Sequence, residues 1–134
     1  MNQENIDFVS ENIYANFQSG NIEGVMAVIA DDVVWNHHGP REQIPFSGNW
    51  QGKAGAGEML QTFAGDTETV KFDVQSVFSA GDKVVFLIDE SCTVKATGKT
   101  YNTLVAQIWT VKDGKVVQFD ELYDSCAVAA AYQA

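Results

Sequence analysis

Positive charge is scarce in this chain: eight Lys and Arg stand against eighteen Asp and Glu, a formal net charge of −10 over 134 residues. Nucleic acid is held by clustered Lys and Arg. The sequence has no such cluster, so nucleic acid is excluded as an expected partner, and an anionic membrane surface with it. Long apolar runs are missing too, none approaching the ~20 residues of a membrane span. Met1 to Asn5 is polar and lacks the apolar stretch of a signal peptide. A cytoplasmic location is therefore expected. The two cysteines, Cys92 and Cys126, lie far apart and form no CxxC. That spacing excludes a disulfide framework and a structural metal site, and buried free thiols are expected. No Gly-rich phosphate loop opens a helix after a strand, and no GxSxG occurs. Neither a nucleotide cofactor nor a covalent serine nucleophile is expected, and the sequence implies no cofactor at all.

What is present is enough for a core. Hydrophobic residues make up 46% of the chain and charged residues 19%, so apolar burial can offset chain entropy. The length suits one domain, residues 1–134. Ile6, Val9, Ile13 and Phe17 recur at helical spacing, with Tyr14 beside the stripe. Ser19-Gly20-Asn21 stops that helix and starts a second, which is expected to run through Val25, Met26 and Ile29 to Asp31-Asp32. Val33 to His37 reads as a strand, and Gly39 to Gly52, which holds both prolines, reads as a loop. Ala54 to Ala64 is a third helix. Strands then follow at Val70 to Phe78, Val84 to Lys95, Tyr101 to Val111 and Val116 to Tyr123, with a short helix at Ala127 to Tyr132. Asp113-Gly114 is a strong hairpin signal. Helices first and strands later predict an α+β fold, in which a curved, mixed, mostly antiparallel sheet wraps the N-terminal helices as a cone. A strongly bent sheet leaves room for a ligand between sheet and helices.

Several strings match a known family in order and spacing. They are Gly20-Asn21-Ile22-Glu23-Gly24-Val25, Ala30-Asp31-Asp32-Val33-Val34-Trp35, Phe46-Ser47-Gly48, Trp50-Gln51-Gly52-Lys53, and Val111 to Val117 running on to Leu122-Tyr123-Asp124. Over nearly its whole length the chain resembles the SnoaL-like polyketide cyclases and ketosteroid isomerases, within the nuclear transport factor 2-like superfamily. The resemblance implies a cone fold and an apolar pocket; it does not fix an activity, because this fold hosts many. Ketosteroid isomerases use a carboxylate base, a helix-one tyrosine and a protonated carboxylic acid. Those positions fall here on His37, Ile13 (with Tyr14 one residue off) and Gln107. None is kept in kind, so steroid isomerisation is not expected.

Strand parity nominates the site. Trp35 and His37 share a face, as do Gln107 and Trp109, and as do Phe119, Glu121 and Tyr123. Histidine suits proton transfer near neutral pH. Glu121 in an apolar pocket is expected to have a raised pKa, and in a network with His37 to favour the protonated imidazole. Asp120 replaces Glu121 if the register shifts by one. Of Asp89 and Glu90, Glu90 shares parity with Val84, Phe86 and Ile88 and is expected to face inward. The expected catalytic set is His37, Glu121 and Gln107, and no metal is expected, since adjacent His37 and His38 diverge on a strand. Tyr14, Phe17, Trp35, Trp50, Met59, Phe63, Glu90, Trp109, Phe119 and Tyr123 are expected around the ligand. The expectation is a cofactor-independent isomerase, cyclase, lyase or hydrolase that moves a proton on a small apolar molecule in an enclosed pocket. The alternative is a noncatalytic ligand-binding or dimeric interaction module. Leu104, Ala106 and Ile108 on the outer sheet face predict a homodimer.

Overall fold

The computed structural model describes residues 2–134. Asn2 opens the first helix by accepting the Asn5 N–H at 3.2 Å. Helix α1 (Gln3–Val9) passes into a π turn at Ser10–Tyr14 and resumes as α2 (Ala15–Gln18). Gly20, at φ +74°, breaks it. Asn21 then caps α3 (Ile22–Ala27) by accepting the Gly24 N–H at 3.0 Å.

Six strands form one sheet in the order β2-β1-β6-β5-β4-β3. They are β1 (Ile29–His37), β2 (Gly48–Gln51), β3 (Thr67–Ala80), β4 (Lys83–Val94), β5 (Thr100–Lys112) and β6 (Lys115–Leu122). β1 and β6 run parallel and every other pair is antiparallel. The curved, unclosed sheet holds its core on the concave face. Ile6, Val9 and Ile13 of the first helix, Val25 of α3, and Ala56 and Met59 of α4 (Gly52–Asp66) are buried in it. Helix α5 (Ser125–Tyr132) closes the chain, capped by Asp124. The α+β cone expected from the sequence is present. No helix among the described residues is long and apolar enough to cross a membrane.

Four details differ from the sequence reading. α3 ends at Ala27, and Asp31-Asp32 belong to β1; both acids are exposed, so a charged pair that reads as a turn sits instead on a strand with a wet edge. The loop expected at 39–52 contains β2, an edge strand of 4 residues with its own ladder to β1. β3 carries two register shifts, at Thr69/Lys71 and Val74/Ser76, which explain its imperfect alternation. Cys92 is buried as expected, but Cys126 is exposed near the start of α5.

Candidate functional site

His37, Gln107 and Glu121 are brought together by register. His37 pairs with Glu121 across the parallel β1–β6 ladder, and Glu121 pairs with Gln107 across β5–β6. Directly paired residues share a face, so all three side chains point to the concave side. Glu121 is therefore the inward carboxylate. Asp120 faces outward, where it meets His38 at 2.9 Å, Gln118 at 2.8 Å and Asn36 at 3.2 Å. Those bonds outweigh partial burial and hold its carboxyl below the ordinary range. Asp89 likewise faces outward, bonded to Lys71 at 2.7 Å and Asn102 at 2.8 Å, which leaves Glu90 inside.

The inner polar groups form one continuous chain. Trp109 Nε1 donates to the Tyr14 hydroxyl at 2.9 Å, and that hydroxyl donates to Gln107 Oε1 at 2.5 Å. Gln107 Nε2 donates to Glu121 Oε1 at 2.8 Å. The other Glu121 oxygen lies 2.7 Å from His37 Nδ1, off the direction of the ring N–H, so this contact is more Coulombic than directed. Trp35 Nε1 shares its hydrogen between His37 Nε2 at 3.1 Å and Met59 Sδ at 3.2 Å.

Direction along this chain follows from its ends. An indole N–H can only donate. Trp109 thus turns the Tyr14 hydroxyl toward Gln107, which fixes the amide orientation and aims its NH2 at Glu121. At the other end, Trp35 makes His37 Nε2 an acceptor, so the ring proton sits on Nδ1, against Glu121. The network therefore places a ring proton on Nδ1, on the side of Glu121. Burial raises the Glu121 carboxyl, but the His37 ring and the Gln107 amide outweigh it and set it below the ordinary range. The raised value expected from desolvation alone is corrected accordingly.

Tyr14 enters the site through the π turn. A regular helix would put only Ile13 on the inner stripe. The wider turn at Ser10–Tyr14 buries Ile13 and still brings the Tyr14 hydroxyl to Gln107. The Tyr14 ring lies 4.3 Å from Phe86, and burial raises its hydroxyl pKa.

The expected walls behave in two ways. Trp35, Trp109 and Phe119 lean on one another, with centroids 4.3 Å apart for both Trp–Phe pairs. They form a packed aromatic block, not the separated walls of an open cavity. Phe46 and Phe63 meet edge to face at 5.0 Å, and Phe17 packs half-buried against the same core. Trp50 is committed elsewhere: its N–H bonds the Phe46 carbonyl at 3.1 Å, and the Arg41 guanidinium covers its ring at 4.0 Å. Tyr123 bonds Ser47 through its hydroxyl, and burial pushes its pKa up to about 12. Two surface clefts, about 310 and 380 Å³, lie beside His37 and beside Tyr132, and neither is lined by Gln107 or Glu121.

Sequence reasoning missed Ser47. Its buried hydroxyl donates to the His37 carbonyl at 3.0 Å and ties the loop to the end of β1. Gly39 is required in the same corner, because a Cβ there would lie 2.5 Å from the Tyr123 hydroxyl and 2.6 Å from Ser47 Oγ. The Gly39-Pro40 turn signal was legible; the pairing of Ser47 with Tyr123, 76 positions apart, was not.

Residues 11–119 match the SnoaL-like domain family. A nuclear transport factor 2-like protein of Burkholderia xenovorans is 26% identical, with a TM-score of 0.88 over 99% of this chain and 98% of its own. A candidate isomerase of Rhodopseudomonas palustris is 20% identical, with a TM-score of 0.80 over 98% and 97%. A candidate SnoaL-like polyketide cyclase of Mesorhizobium loti is 21% identical, with a TM-score of 0.69 over 88% and 98%. The last two likenesses are likenesses of fold. No curated protein matches the chain significantly.

Proposed function

The chain belongs to the SnoaL-like family of the nuclear transport factor 2-like superfamily, and on that footing we propose that it is a cofactor-independent enzyme of the isomerase or cyclase kind, moving a proton on a small, mostly apolar carbonyl compound. The observation that carries this reading is the convergence of the His37 ring and the Gln107 amide on the Glu121 carboxylate, buried on the concave face beside a packed aromatic block. Glu121 serves as the base that takes a proton from the carbon beside the carbonyl. His37 supports it through Nδ1. Gln107 Nε2 has a second hydrogen, beyond the one given to Glu121, that can hold the substrate oxygen. When His37 Nε2 takes up a proton, Trp35 retains Met59 Sδ as an acceptor, so the network can change charge without orphaning the indole. The names borne by similar proteins, isomerase and polyketide cyclase, agree with this class of chemistry.

The test is deuterium exchange: the protein is incubated in D2O with a panel of small cyclic ketones, and mass spectrometry follows label entering beside the carbonyl. His37→Ala and Glu121→Gln should each slow exchange by ~10²-fold or more, and Asp124→Asn, at the α5 cap, should not. Exchange that ignores both variants, or none by the wild type on any ketone, removes the reading.

A second reading rests on the packed block of Trp35, Trp109 and Phe119, which suits a dimeric interaction module with a filled interior. The outer sheet face supports assembly under either reading. Leu104 is 62% and Leu122 46% exposed there, beside Ala106 and Ile108. A contiguous apolar face of this kind is costly to leave wet. Light scattering at micromolar concentration should give twice the chain mass, and Leu104→Glu should return it to that of one chain. A wild type that scatters as a single chain refutes the dimer.

A further inference from the structure

Glu90 stands apart from the network just described. It lies on the concave face of β4, only 8% exposed. Its carboxyl has no hydrogen bond or ion pair among the described residues; the contact from Asn102 reaches its backbone carbonyl. A carboxyl so deeply set costs free energy unless something meets it. Its ladder partner on the edge strand is Phe72, and Val74 pairs with Ile88 one step along the same face. These two apolar side chains stay 39% and 47% exposed, although they face the concave side. The Phe72 ring lies 6.1 Å from Tyr14, so this apolar lip leads directly to the Tyr14–Gln107 end of the polar chain.

We propose that the Glu90 carboxyl is the hydrogen-bonding post for the carbonyl or enol oxygen of a small, otherwise apolar ligand that enters the concave face over Phe72 and Val74. The chemical class follows from counting donors. The Tyr14 hydroxyl, the Trp109 N–H and the Trp35 N–H are all in use. The Tyr101 hydroxyl is engaged with the Cys92 sulfur, and the donors left are the second Gln107 Nε2 hydrogen and, when the acid is protonated, the Glu90 O–H. Two donors without a matching free cation suit an uncharged oxygen acceptor on an apolar frame. The titratable groups facing Glu90 are Glu121, Tyr14, Cys92 and Tyr101, and Lys71 is turned to the other face with Asp89. Burial and then the Glu121 charge push the Glu90 carboxyl up to about 8, so it is a donor at neutral pH.

This rests on reading the concave face as the substrate site, but not on turnover. The probe is α-tetralone, a planar ketone, with tetralin as the same frame lacking oxygen, titrated into the full chain by ligand-observed NMR. At pH 7 the wild type should prefer the ketone by ~10-fold. Glu90→Leu should abolish the preference, and Glu90→Gln, whose amide can donate, should keep most of it. Raising the pH to 9 should erase the preference in wild type and leave it in Glu90→Gln, which separates loss of a proton from loss of fold. Equal binding of the two probes to wild type, no ketone binding by wild type, or a preference that survives in Glu90→Leu overturns the proposal. Glu90-dependent ketone binding without deuterium exchange would remove the enzymatic reading and leave this one standing. Exchange by wild type together with a ketone preference that survives in Glu90→Leu would overturn this one alone.

Discussion

Glu121→Leu should cost the protein about 2–6 kcal/mol of unfolding free energy, the range for leaving two buried polar groups without their partner. For a chain of this size that is a fall in Tm on the order of 10–20 °C. Leucine fills most of the volume, so a cavity is not the cause. The loss comes from Gln107 Nε2, which donates to the carboxylate, and from the His37 ring, whose Nδ1 lies 2.7 Å from it; both would be left facing an apolar group. Water replaces them poorly: Glu121 and His37 are 7% and 4% exposed, and each stranded polar group carries its desolvation penalty. Asp120→Leu is the control on the next residue. It removes three bonds on the outer face, but solvent can take them over, so about 1 kcal/mol is expected. Urea unfolding of the two variants side by side decides the point. Glu121→Leu within about 1 kcal/mol of wild type would mean that the network does not couple these strands.

Glu121→Gln separates charge from direction. The amide can still accept from Gln107 through its oxygen, but its NH2 then faces His37 Nδ1–H, donor against donor. Relief requires the imidazole proton to move to Nε2, where it meets the Trp35 N–H, which must fall back on Met59 Sδ. One isosteric change therefore propagates to the far end of the chain. The fixed polarity of that chain, with an indole donor at each end and a carboxylate at the centre, is what carries the change so far.

The sheet pattern was legible because inner strand faces repeat every second residue. Parity alone grouped Trp35 with His37, Gln107 with Trp109, and Glu121 with Phe119, and the ladders pair those groups. The same parity chose Glu90 over Asp89. What parity could not fix is relative register. Asp120 and Glu121 are adjacent carboxylates, and only the pairing of β6 with β1 and β5 decides which enters. Tyr14 was half-legible: its stripe was visible, but the π turn that swings it inward follows from tertiary packing, not from the local sequence. β2 was hidden for another reason. Its 4 residues lie among prolines and glycines that signal a loop, and an edge strand so short is defined by its partner β1. The enclosed pocket was inferred from aromatic residues on facing strands. Aromatic rings can equally meet in the middle, as Trp35, Trp109 and Phe119 do, and the sequence does not distinguish a lining from a filling.

The second large effect is on how stability varies with pH. Glu90 is pushed up to about 8 in the folded protein by burial and by the charge of Glu121, against an unfolded glutamate near 4.3. The sign follows from linkage. Below about pH 4 the acid is protonated in both states, and its favourable folded form is fully retained. Between the two pKa values the unfolded chain releases the proton while the folded protein holds it, so folding becomes less favourable as pH rises. The loss proceeds at roughly 1.4 kcal/mol per pH unit and levels off above the folded value, for a total on the order of 3–5 kcal/mol. Glutamine has no proton to release. The stability difference between Glu90→Gln and wild type should therefore move steadily in the variant's favour from pH 5 to pH 8 and then stay flat. The Glu121 carboxyl, set below its ordinary range, titrates with the opposite sign at lower pH and is present in both proteins, so it leaves this slope in place. Urea midpoints at half-unit pH steps provide the measurement. A difference that does not change with pH between 5 and 8 would mean that Glu90 ionises as freely inside the fold as outside it, and the concave face would then hold a charged pair of glutamates at neutral pH in place of one acid and one carboxylate.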